Sequence, residues 1–309
     1  MFRVFGLLLL TSCATLPFLP APEKLQPWTT VLREQQPENA FAVVYKIGAR
    51  HLVFVAAQHE NSDDSLTFRM IRDAYATFKF ETVIAEGFPT SWGVNPHRIL
   101  DYASKNGARD DGFVEGGETV PTVFGAQQQS ATLLGGEADD LAIKTKIMAE
   151  GFSTNDLLGF YVLRNIPQWI GERKIKDAED PRLPSLVAAA LDRNRYELRL
   201  PDTTIPGFTE WAAWYQATNG KPISAAFVTE EVGPLADGPF GTNKIAFAVS
   251  RARDVYLHNL IIAHLNAAES VLVVFGGSHL MIHRPALDAV LGLPCYVGVS
   301  PQRAIASCR

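Results

Sequence analysis

Four apolar runs in the chain each lead into a side chain that can gain or lose a proton, and helix-like segments separate the runs. This order of strand, polar tip and helix is typical of a sheet whose strands run mainly parallel. The runs are 52–57, 82–85, 132–136 and 270–275. The first is apolar at every position, which suits a strand that is covered on both faces. We therefore predict an α/β fold with a mainly parallel central sheet and flanking helices.

The run 52–57 is predicted to be the second strand of an N-terminal β-hairpin. Strand-like residues 41–47 precede it, and the connection 48–51 is short and contains a glycine. This is the usual pattern of a hairpin. The sheet is therefore expected to contain one antiparallel pair beside its parallel strands.

Two helix starts are predicted from the residues that favour them. Ser62 or Asp63 is expected to cap the helix after the hairpin, and this helix should continue to about Lys79. Pro285 suits the first turn of a helix. We therefore predict that the last long helix begins near Pro285 and leads into a final strand at 295–299.

The strand pattern stops between about residues 141 and 244. We interpret this region as a helical insertion within a single α/β domain that covers residues 39–309. The insertion is rich in aromatic residues, which either line a substrate pocket or form a core of their own. These residues are Trp169, Trp211, Trp214 and Tyr215.

The composition is that of a globular protein. Of the 309 residues, 47% are hydrophobic and 20% are charged, and the formal net charge is −5. No block of consecutive basic residues occurs, so a nucleic-acid partner is not expected. The sequence also lacks the glycine-rich loops that bind phosphates and the Gly-x-Ser-x-Gly setting of a serine nucleophile. It therefore gives no support to a nucleotide-dependent enzyme or a standard serine hydrolase.

The N-terminus resembles a bacterial lipoprotein signal. Arg3 precedes the apolar run 4–10, and small residues then lead to Cys13. The apolar run is much shorter than the roughly 20 residues that a membrane-spanning helix needs. We expect residues 1–12 to be a signal peptide and Cys13 to become the lipidated first residue of the mature chain. A plain signal peptide with an incidental cysteine is the alternative.

This interpretation places the protein on the periplasmic side of the bacterial cell envelope. Ala14, the residue after the cysteine, indicates retention at the outer membrane, where an aspartate would indicate the inner membrane. Residues 13–38 are rich in proline and are expected to form a semi-rigid tether. The membrane, reached through lipidated Cys13, is thus one predicted partner.

An oxidising periplasm also affects how the other two cysteines are interpreted. Cys295 and Cys308 can close a short loop at the C-terminus. Alternatively, Cys295 lies in an apolar run and is a buried small hydrophobic residue. The sequence does not supply the Cα separation that a disulfide requires, so both interpretations stay open.

Titratable side chains follow the four runs, and a sheet would bring them together. His59, Glu86, Glu137 and His279 are these side chains. The carboxyl ends of parallel strands lie at one edge of the sheet, where ligands bind. Two imidazoles and two carboxylates there predict a site for zinc, manganese or iron, which would activate a water. Glu86 would be a ligand or the general base. Taken singly, each residue has an ordinary alternative as a loop histidine or a helix-capping glutamate.

A long helix predicted before the last buried strand carries Arg253. This arginine can pair with a carboxylate at the strand ends or stabilise an oxyanion there. A surface pair of Arg253 with Asp254 is the alternative. His283 follows His279 at a helical ligand spacing, but the helix start predicted near Pro285 argues against that pair.

The order of these residues resembles the Tiki/TraB/GumN superfamily, which includes erythromycin-esterase-like and ChaN-like lipoproteins. Its hallmark is a pair of Gly-x-x-His motifs with a glutamate between them. Gly276-Gly277-Ser278-His279 matches the second motif in full, whereas the first, Ala56-Ala57-Gln58-His59, has Ala56 where glycine is expected. The strand ending at Glu86 and the Arg253-Asp254 helix follow the same order. The resemblance covers about residues 39–140 and 245–299.

This resemblance implies an α/β fold with a metal-dependent hydrolase site. His59, Glu86 and His279 would form the site, with Arg253 close by. Glu137 is not carried over from the family and is inferred from its strand-end position alone.

The sequence thus predicts a lipid-anchored periplasmic hydrolase that uses a divalent metal to cleave a peptide or ester bond in a peptide or small-molecule substrate. One alternative is a lipoprotein that binds haem or a metal without turnover, similar to the ChaN-like carriers. Another is a non-catalytic envelope protein. The sequence leaves open the substrate, the oligomeric state and whether Glu137 or Glu118 completes the site.

Overall fold

A computed structural model describes residues 17–93 and 96–308 and shows the predicted α/β fold. The strands are β1 (Phe41–Ile47), β2 (Arg50–Ala57), β3 (Thr82–Pro89), β4 (Thr132–Glu137), β5 (Val271–Gly276) and β6 (Tyr296–Gly298). They form a six-stranded sheet in the order β4-β3-β5-β2-β1-β6. Strands β2 to β5 pair in parallel, whereas β1 is antiparallel to both of its neighbours. The predicted signal peptide (1–12) and Cys13 lie outside the described residues.

Helices flank this sheet and fill the region between β4 and β5. Before β4 they are α1 (Thr30–Gln35), α2 (Leu66–Thr77), α3 (Thr90–Gly93), α4 (Pro96–Lys105) and α5 (Thr119–Gln129). Between β4 and β5 they are α6 (Asp140–Ala149), α7 (Thr154–Leu163), α8 (Asn165–Gly171), α9 (Leu183–Glu197), α10 (Phe208–Asn219) and α11 (Gly241–Asn266). After β5 they are α12 (Gly277–Leu291) and α13 (Ala304–Ser307). Short 3₁₀ turns lie at Pro22–Lys24, Thr229–Val232 and Pro301–Arg303.

The predicted hairpin is confirmed, with β1 and β2 paired along their whole length. Gly48 at its turn has a φ of 63°, which glycine adopts without a steric cost. Alternate residues of β2 point to opposite faces of the sheet, and both faces are covered. Val53 and Val55 lie in one core cluster with residues of α2, and Leu52 and Phe54 lie in another with residues of α11 and α12.

The cap of α2 differs from the prediction. Ser65 caps this helix by accepting a hydrogen bond from the Phe68 N–H at 3.3 Å. Ser62 and Asp63 were the expected caps, but Ser62 pairs with Phe113 in an isolated β-bridge and donates its hydroxyl proton to Asp64. The chain therefore enters the helix three residues after Ser62.

Helices α6 to α10 occupy the region predicted as a helical insertion. Ser153 caps α7 and accepts a hydrogen bond from the Asp156 N–H at 3.1 Å. Trp211 and Tyr215 are completely buried and Trp169 is nearly so, and all three lie in one core cluster of this region. Of the two roles left open for these aromatic side chains, the structure shows the core.

Residues 21–36, which we call the N-terminal arm, pack against α11 and α12. Leu25, Trp28 and Leu32 are buried in a cluster with residues of α12. Arg251 of α11 donates to the carbonyls of Leu25 and Pro22 at 2.9 and 3.0 Å. The segment predicted as a tether (13–38) therefore contains a packed region.

The C-terminus is closed by a disulfide between Cys295 and Cys308, one of the two alternatives that the sequence left open. Their Cα atoms are 5.2 Å apart, within the usual range for a disulfide. Among the described residues, no helix combines the length and the apolar character that crossing a membrane requires.

Gly135 in β4 allows the close approach of the end of β3, which suggests a test of the sheet's packing. A Cβ at this position would overlap the carbonyl oxygen of Phe88 and lie 2.6 Å from that of Pro89. We expect Gly135→Ala to lower the free energy of unfolding by about 1–3 kcal/mol in urea denaturation, because backbone must move. Gly171→Ala, at the end of α8 where a Cβ meets open space, should change it by less than about 1 kcal/mol. Equal stabilities of the two variants would contradict this account.

Candidate functional site

The structure brings all five predicted site residues to one edge of the sheet. His59 lies in the loop after β2, Glu86 lies within β3, and Glu137 ends β4. His279 lies in the first turn of α12, directly after β5, and Arg253 reaches this edge from the middle of α11. We call this region the carboxyl edge.

Arg253 is at the centre of the group. Its Nε donates to Glu137 Oε2 at 2.5 Å, and its Nη2 donates to Glu137 Oε1 and, at 3.0 Å, to Glu86 Oε1. Burial lowers the pKa of Arg253, but Glu137 and Glu86 outweigh this effect and hold the pKa well above its ordinary value. The guanidinium is therefore a permanent positive charge shared by two carboxylates.

Glu86 connects Arg253 to the rest of the site. Its Oε2 accepts a hydrogen bond from the Gly276 N–H at 2.6 Å, and its Oε1 lies 3.4 Å from His279 Nε2. Burial raises the pKa of Glu86, but His279, His59 and Arg253 together bring it well below its ordinary value. Glu86 is thus an ionised carboxylate with a partner on each oxygen, and such a group is a poor proton acceptor.

Asp254 holds His279 from the opposite side. Its Oδ1 lies 2.6 Å from His279 Nδ1, and its side chain is almost completely buried. Burial lowers the pKa of His279, but Asp254 and Glu86 outweigh this effect and raise the pKa to about 10. At neutral pH His279 is therefore a buried cation between two carboxylates.

Asp254 is not the surface partner of Arg253 that the sequence suggested as an alternative. Adjacent residues on a helix do not face each other, and the two side chains of α11 point to different partners. Arg253 reaches Glu137 and Glu86, whereas Asp254 reaches His279.

The helix start predicted near Pro285 is also wrong. Helix α12 begins at Gly277, and Pro285 lies inside it. A proline within a helix removes one backbone hydrogen bond, but α12 buries an apolar face that offsets this loss. His283 therefore does lie on the same helix as His279, with its Nε2 3.3 Å from Asp254 Oδ1.

His59 forms a second carboxylate–imidazole pair, with Glu118. The Nδ1 of His59 lies 2.6 Å from Glu118 Oε1. The hydrogen bond to Glu118 raises the pKa of His59 to about 9. The His59 side chain is 64% exposed, whereas that of Glu118 is 14% exposed. The imidazole is thus oriented by a shielded carboxylate and is itself open to solvent.

The Nε2 of His59 lies beside Gly276. A Cβ at Gly276 would be 3.0 Å from His59 Nε2 and 3.4 Å from Glu86 Oε2. Both atoms therefore lie on the same side of the Gly276 backbone. Glycine at this position leaves space for the imidazole next to the buried charges.

Two site residues were not assigned a role in the site from the sequence: Glu118, which was left open as an alternative to Glu137 for completing the site, and Asp254. Glu118 lies in a loop-rich stretch without a periodic pattern, and only the fold brings it to His59. Asp254 carried a weak signal, because it is an acidic residue among the largely apolar positions of α11. A charged residue in such a helix needs a buried partner.

The side chains at the carboxyl edge, in the arrangement that the structure shows, do not form a metal-binding site. No group of three or more His, Cys, Asp or Glu among residues 17–93 and 96–308 is placed to hold one. Both oxygens of Glu137 are bonded to Arg253, and Glu86 is shared between Arg253, His279 and the Gly276 N–H. A dication would have to displace the guanidinium that balances these carboxylates. The divalent metal stays a prediction from the sequence.

Comparison with known proteins adds no assignment. No protein-family model matches the chain, and neither a curated protein nor a solved structure matches it. The resemblance to the Tiki/TraB/GumN superfamily therefore stays a prediction from motifs. The geometry of the carboxyl edge is the basis on which a function can be assigned.

The pair of His59 and Glu118 can be tested by its titration. We expect NMR titration of the imidazole resonances to give His59 a pKa of about 9, because the protonated ring donates to Glu118. Glu118→Gln removes the negative charge and should move this pKa down toward the ordinary 6.5. Glu115→Gln, a nearby carboxylate that pairs with Arg109, should leave it unchanged. The same His59 pKa in the wild type and in Glu118→Gln would show that the pair does not form.

Proposed function

We propose that this chain is a hydrolase that cleaves an ester or peptide bond, with His59 as its general base. The observation that carries the proposal is the pair of His59 and Glu118, in which a carboxylate 2.6 Å from Nδ1 orients an exposed imidazole. A carboxylate at Nδ1 favours the tautomer with its proton on Nδ1 and its lone pair on Nε2. Neutral His59 can then take a proton from a water.

The proposed reaction is an addition followed by an elimination. A water attacks the carbonyl carbon of the substrate while His59 Nε2 takes one of its protons, and the carbonyl oxygen becomes an oxyanion. The intermediate then collapses and breaks the bond to the leaving group, whose oxygen or nitrogen takes the proton from His59. The products are a carboxylic acid and an alcohol or amine, and His59 returns to its neutral form.

Of the two roles expected of Arg253, pairing with a carboxylate at the strand ends and stabilising an oxyanion, the geometry supports the first. Its Nε and Nη2 are bonded to Glu137 and Glu86. We assign Arg253 the role of positioning Glu86. A Cβ at Gly276 would lie close to both Glu86 Oε2 and His59 Nε2, so these two atoms border the same space. Arg253 and His279 would hold Glu86 in a fixed position next to the reacting water.

The alternative of haem binding has no observation in its favour among the described residues. A groove of about 490 Å³ along α2 and α5 is lined by the aromatic residues Phe68, Tyr75 and Phe124 and by polar residues that include Asp63 and Arg72. No histidine lines this groove. Tyr75 is of a residue type that can bind haem iron, but its hydroxyl donates to the Thr122 carbonyl at 2.6 Å.

The location in the cell envelope is also proposed. Its support is the disulfide between Cys295 and Cys308, since such bonds persist in oxidising compartments, together with the signal that ends before Cys13. We expect the chain to incorporate a labelled fatty acid when it is produced in a bacterial host, and Cys13→Ala to abolish the labelling. Unchanged labelling of Cys13→Ala, or none in the wild type, would contradict lipidation at this residue.

Hydrolysis of phenyl acetate tests the proposed function. We expect His59→Ala to lower kcat/KM by about 10²-fold or more, the usual contribution of a general base. Because the base must be unprotonated and its pKa is about 9, the rate should rise with pH and level off above this value. In Glu118→Gln the rise should occur at lower pH.

The control for this assay is His51→Ala, which removes an imidazole near the opposite end of β2 and should leave the rate unchanged. Equal rates for the wild type and His59→Ala would contradict the proposal. The same assay after dialysis against EDTA tests the predicted metal. We expect an unchanged rate, whereas a loss that zinc, manganese or iron reverses would favour a metal-dependent enzyme.

A further inference from the structure

The N-terminal arm places one of its side chains at the carboxyl edge. Gln36 directly follows α1, and a Cβ at Gly277 would lie 2.5 Å from Gln36 Nε2. The preceding residue, Gly276, is the one beside His59 Nε2 and Glu86 Oε2. The amide of Gln36 therefore lies against the same two-glycine turn as the proposed general base.

The position of Gln36 is fixed by the packing of the arm. Trp28 and Leu32 are buried in a cluster with Ile282 and Ala286 of α12. The Gln36 N–H donates to the Arg33 carbonyl at 3.1 Å and so continues from the end of α1. The arm thus holds this residue against the helix that carries His279.

The side-chain amide of Gln36 is uncommitted. Within the described ranges no protein group hydrogen-bonds it, and the side chain is neither fully buried nor fully exposed. Gln58, in the neighbouring loop, differs because its amide donates to the Glu38 carbonyl. A donor without a protein partner, beside the glycine that follows the one facing His59 Nε2, is available to a substrate.

The first turn of α12 adds donors at the same place. The N–H of its cap residue, Gly276, already donates to Glu86 Oε2 at 2.6 Å, but the N–H groups that follow in the first turn have no intrahelical acceptor. The partial positive charge at a helix N-terminus favours a negatively charged oxygen nearby. The amide of Gln36 and the backbone N–H groups of this turn are therefore donors that lie close to Gly277.

We propose that Gln36 binds the carbonyl oxygen of the scissile ester or amide, with its Nε2 as the donor. This inference rests on the proposed hydrolase function and specifies how the oxyanion is held. As water adds to the carbonyl carbon, the oxygen gains negative charge, and the hydrogen bond from Gln36 strengthens. The substrate class is thus a carbonyl compound that can place its oxygen over Gly277 and its carbon within reach of His59.

Steady-state kinetics with phenyl acetate tests this role. We expect Gln36→Ala to lower kcat by about 10²-fold, as is typical when an oxyanion donor is lost, and to leave KM nearly unchanged. Gln36→Glu should lose the same activity, because it removes the donor and keeps the size of the side chain. Gln35→Ala, an exposed neighbour in α1, should behave as the wild type. A kcat of Gln36→Ala equal to that of the wild type would overturn the inference.

A second measurement does not depend on turnover. Ethyl methylphosphonate mimics the tetrahedral intermediate, and its binding can be followed by the side-chain amide signals of glutamine in NMR. We expect the Gln36 signal, identified by its loss in Gln36→Ala, to shift on titration. A titration that leaves this signal unmoved would overturn the inference. If the wild type is no more active than His59→Ala while the Gln36 signal shifts, the hydrolase proposal fails and the binding of a tetrahedral oxyanion by Gln36 stands.

Discussion

The ion pairs of Arg253 are the interaction on which the carboxyl edge depends. Strands β3 and β4 pair in parallel, and their register shifts after Ala85 so that Glu137 lies opposite Pro89. The carboxylates of Glu86 and Glu137 still lie close enough to share one guanidinium. Two carboxylates this close repel each other unless a cation lies between them or one is protonated. Helix α11 supplies that cation with Arg253, and its next residue, Asp254, faces His279. A single helix therefore both balances the charge at the strand ends and orients the buried imidazole. Removing one member of such a network leaves a partner charge buried, which costs about 3–5 kcal/mol when the pair is fully desolvated.

The site has two halves with different physical properties. In one half, charges alternate along Glu137, Arg253, Glu86, His279 and Asp254, and none of these side chains is more than 19% exposed. In the other half, His59 is 64% exposed and is held through one nitrogen by Glu118. The buried half is suited to holding a fixed geometry, because every charge in it has a partner of opposite sign. The exposed half is suited to exchanging protons with water.

The sequence predicted the sheet well because the pattern that indicates a strand lies in consecutive residues. Strand 41–47 was predicted with the bounds that the structure shows, and each parallel run was placed within a few residues of its strand. The convergence of His59, Glu86, Glu137 and His279 followed from their strand-end positions. What the sequence did not provide depends on contacts between distant segments. Glu118 meets His59 only after the loop before α5 folds back, and Gln36 lies in a segment whose prolines indicated a tether. The start of α12 was misplaced because the favourable position of Pro285 was weighed above the glycines that end β5.

The N-terminal arm also fixes the point at which the chain leaves the domain toward its N-terminus. Arg251 holds the carbonyls of Pro22 and Leu25, and the Ala21 N–H donates to His258 Nε2 at 3.1 Å. The chain is anchored further toward the N-terminus at Phe18, whose N–H donates to Asn266 Oδ1 at 2.8 Å and whose carbonyl accepts from Asn266 Nδ2 at 2.9 Å. Only five peptide units separate Phe18 from Cys13, and five units span at most roughly 18 Å. Lipidation at Cys13, as we propose it, would therefore hold the domain in a thin layer at the bilayer surface. The substrates within its reach would be those attached to, or emerging from, that surface.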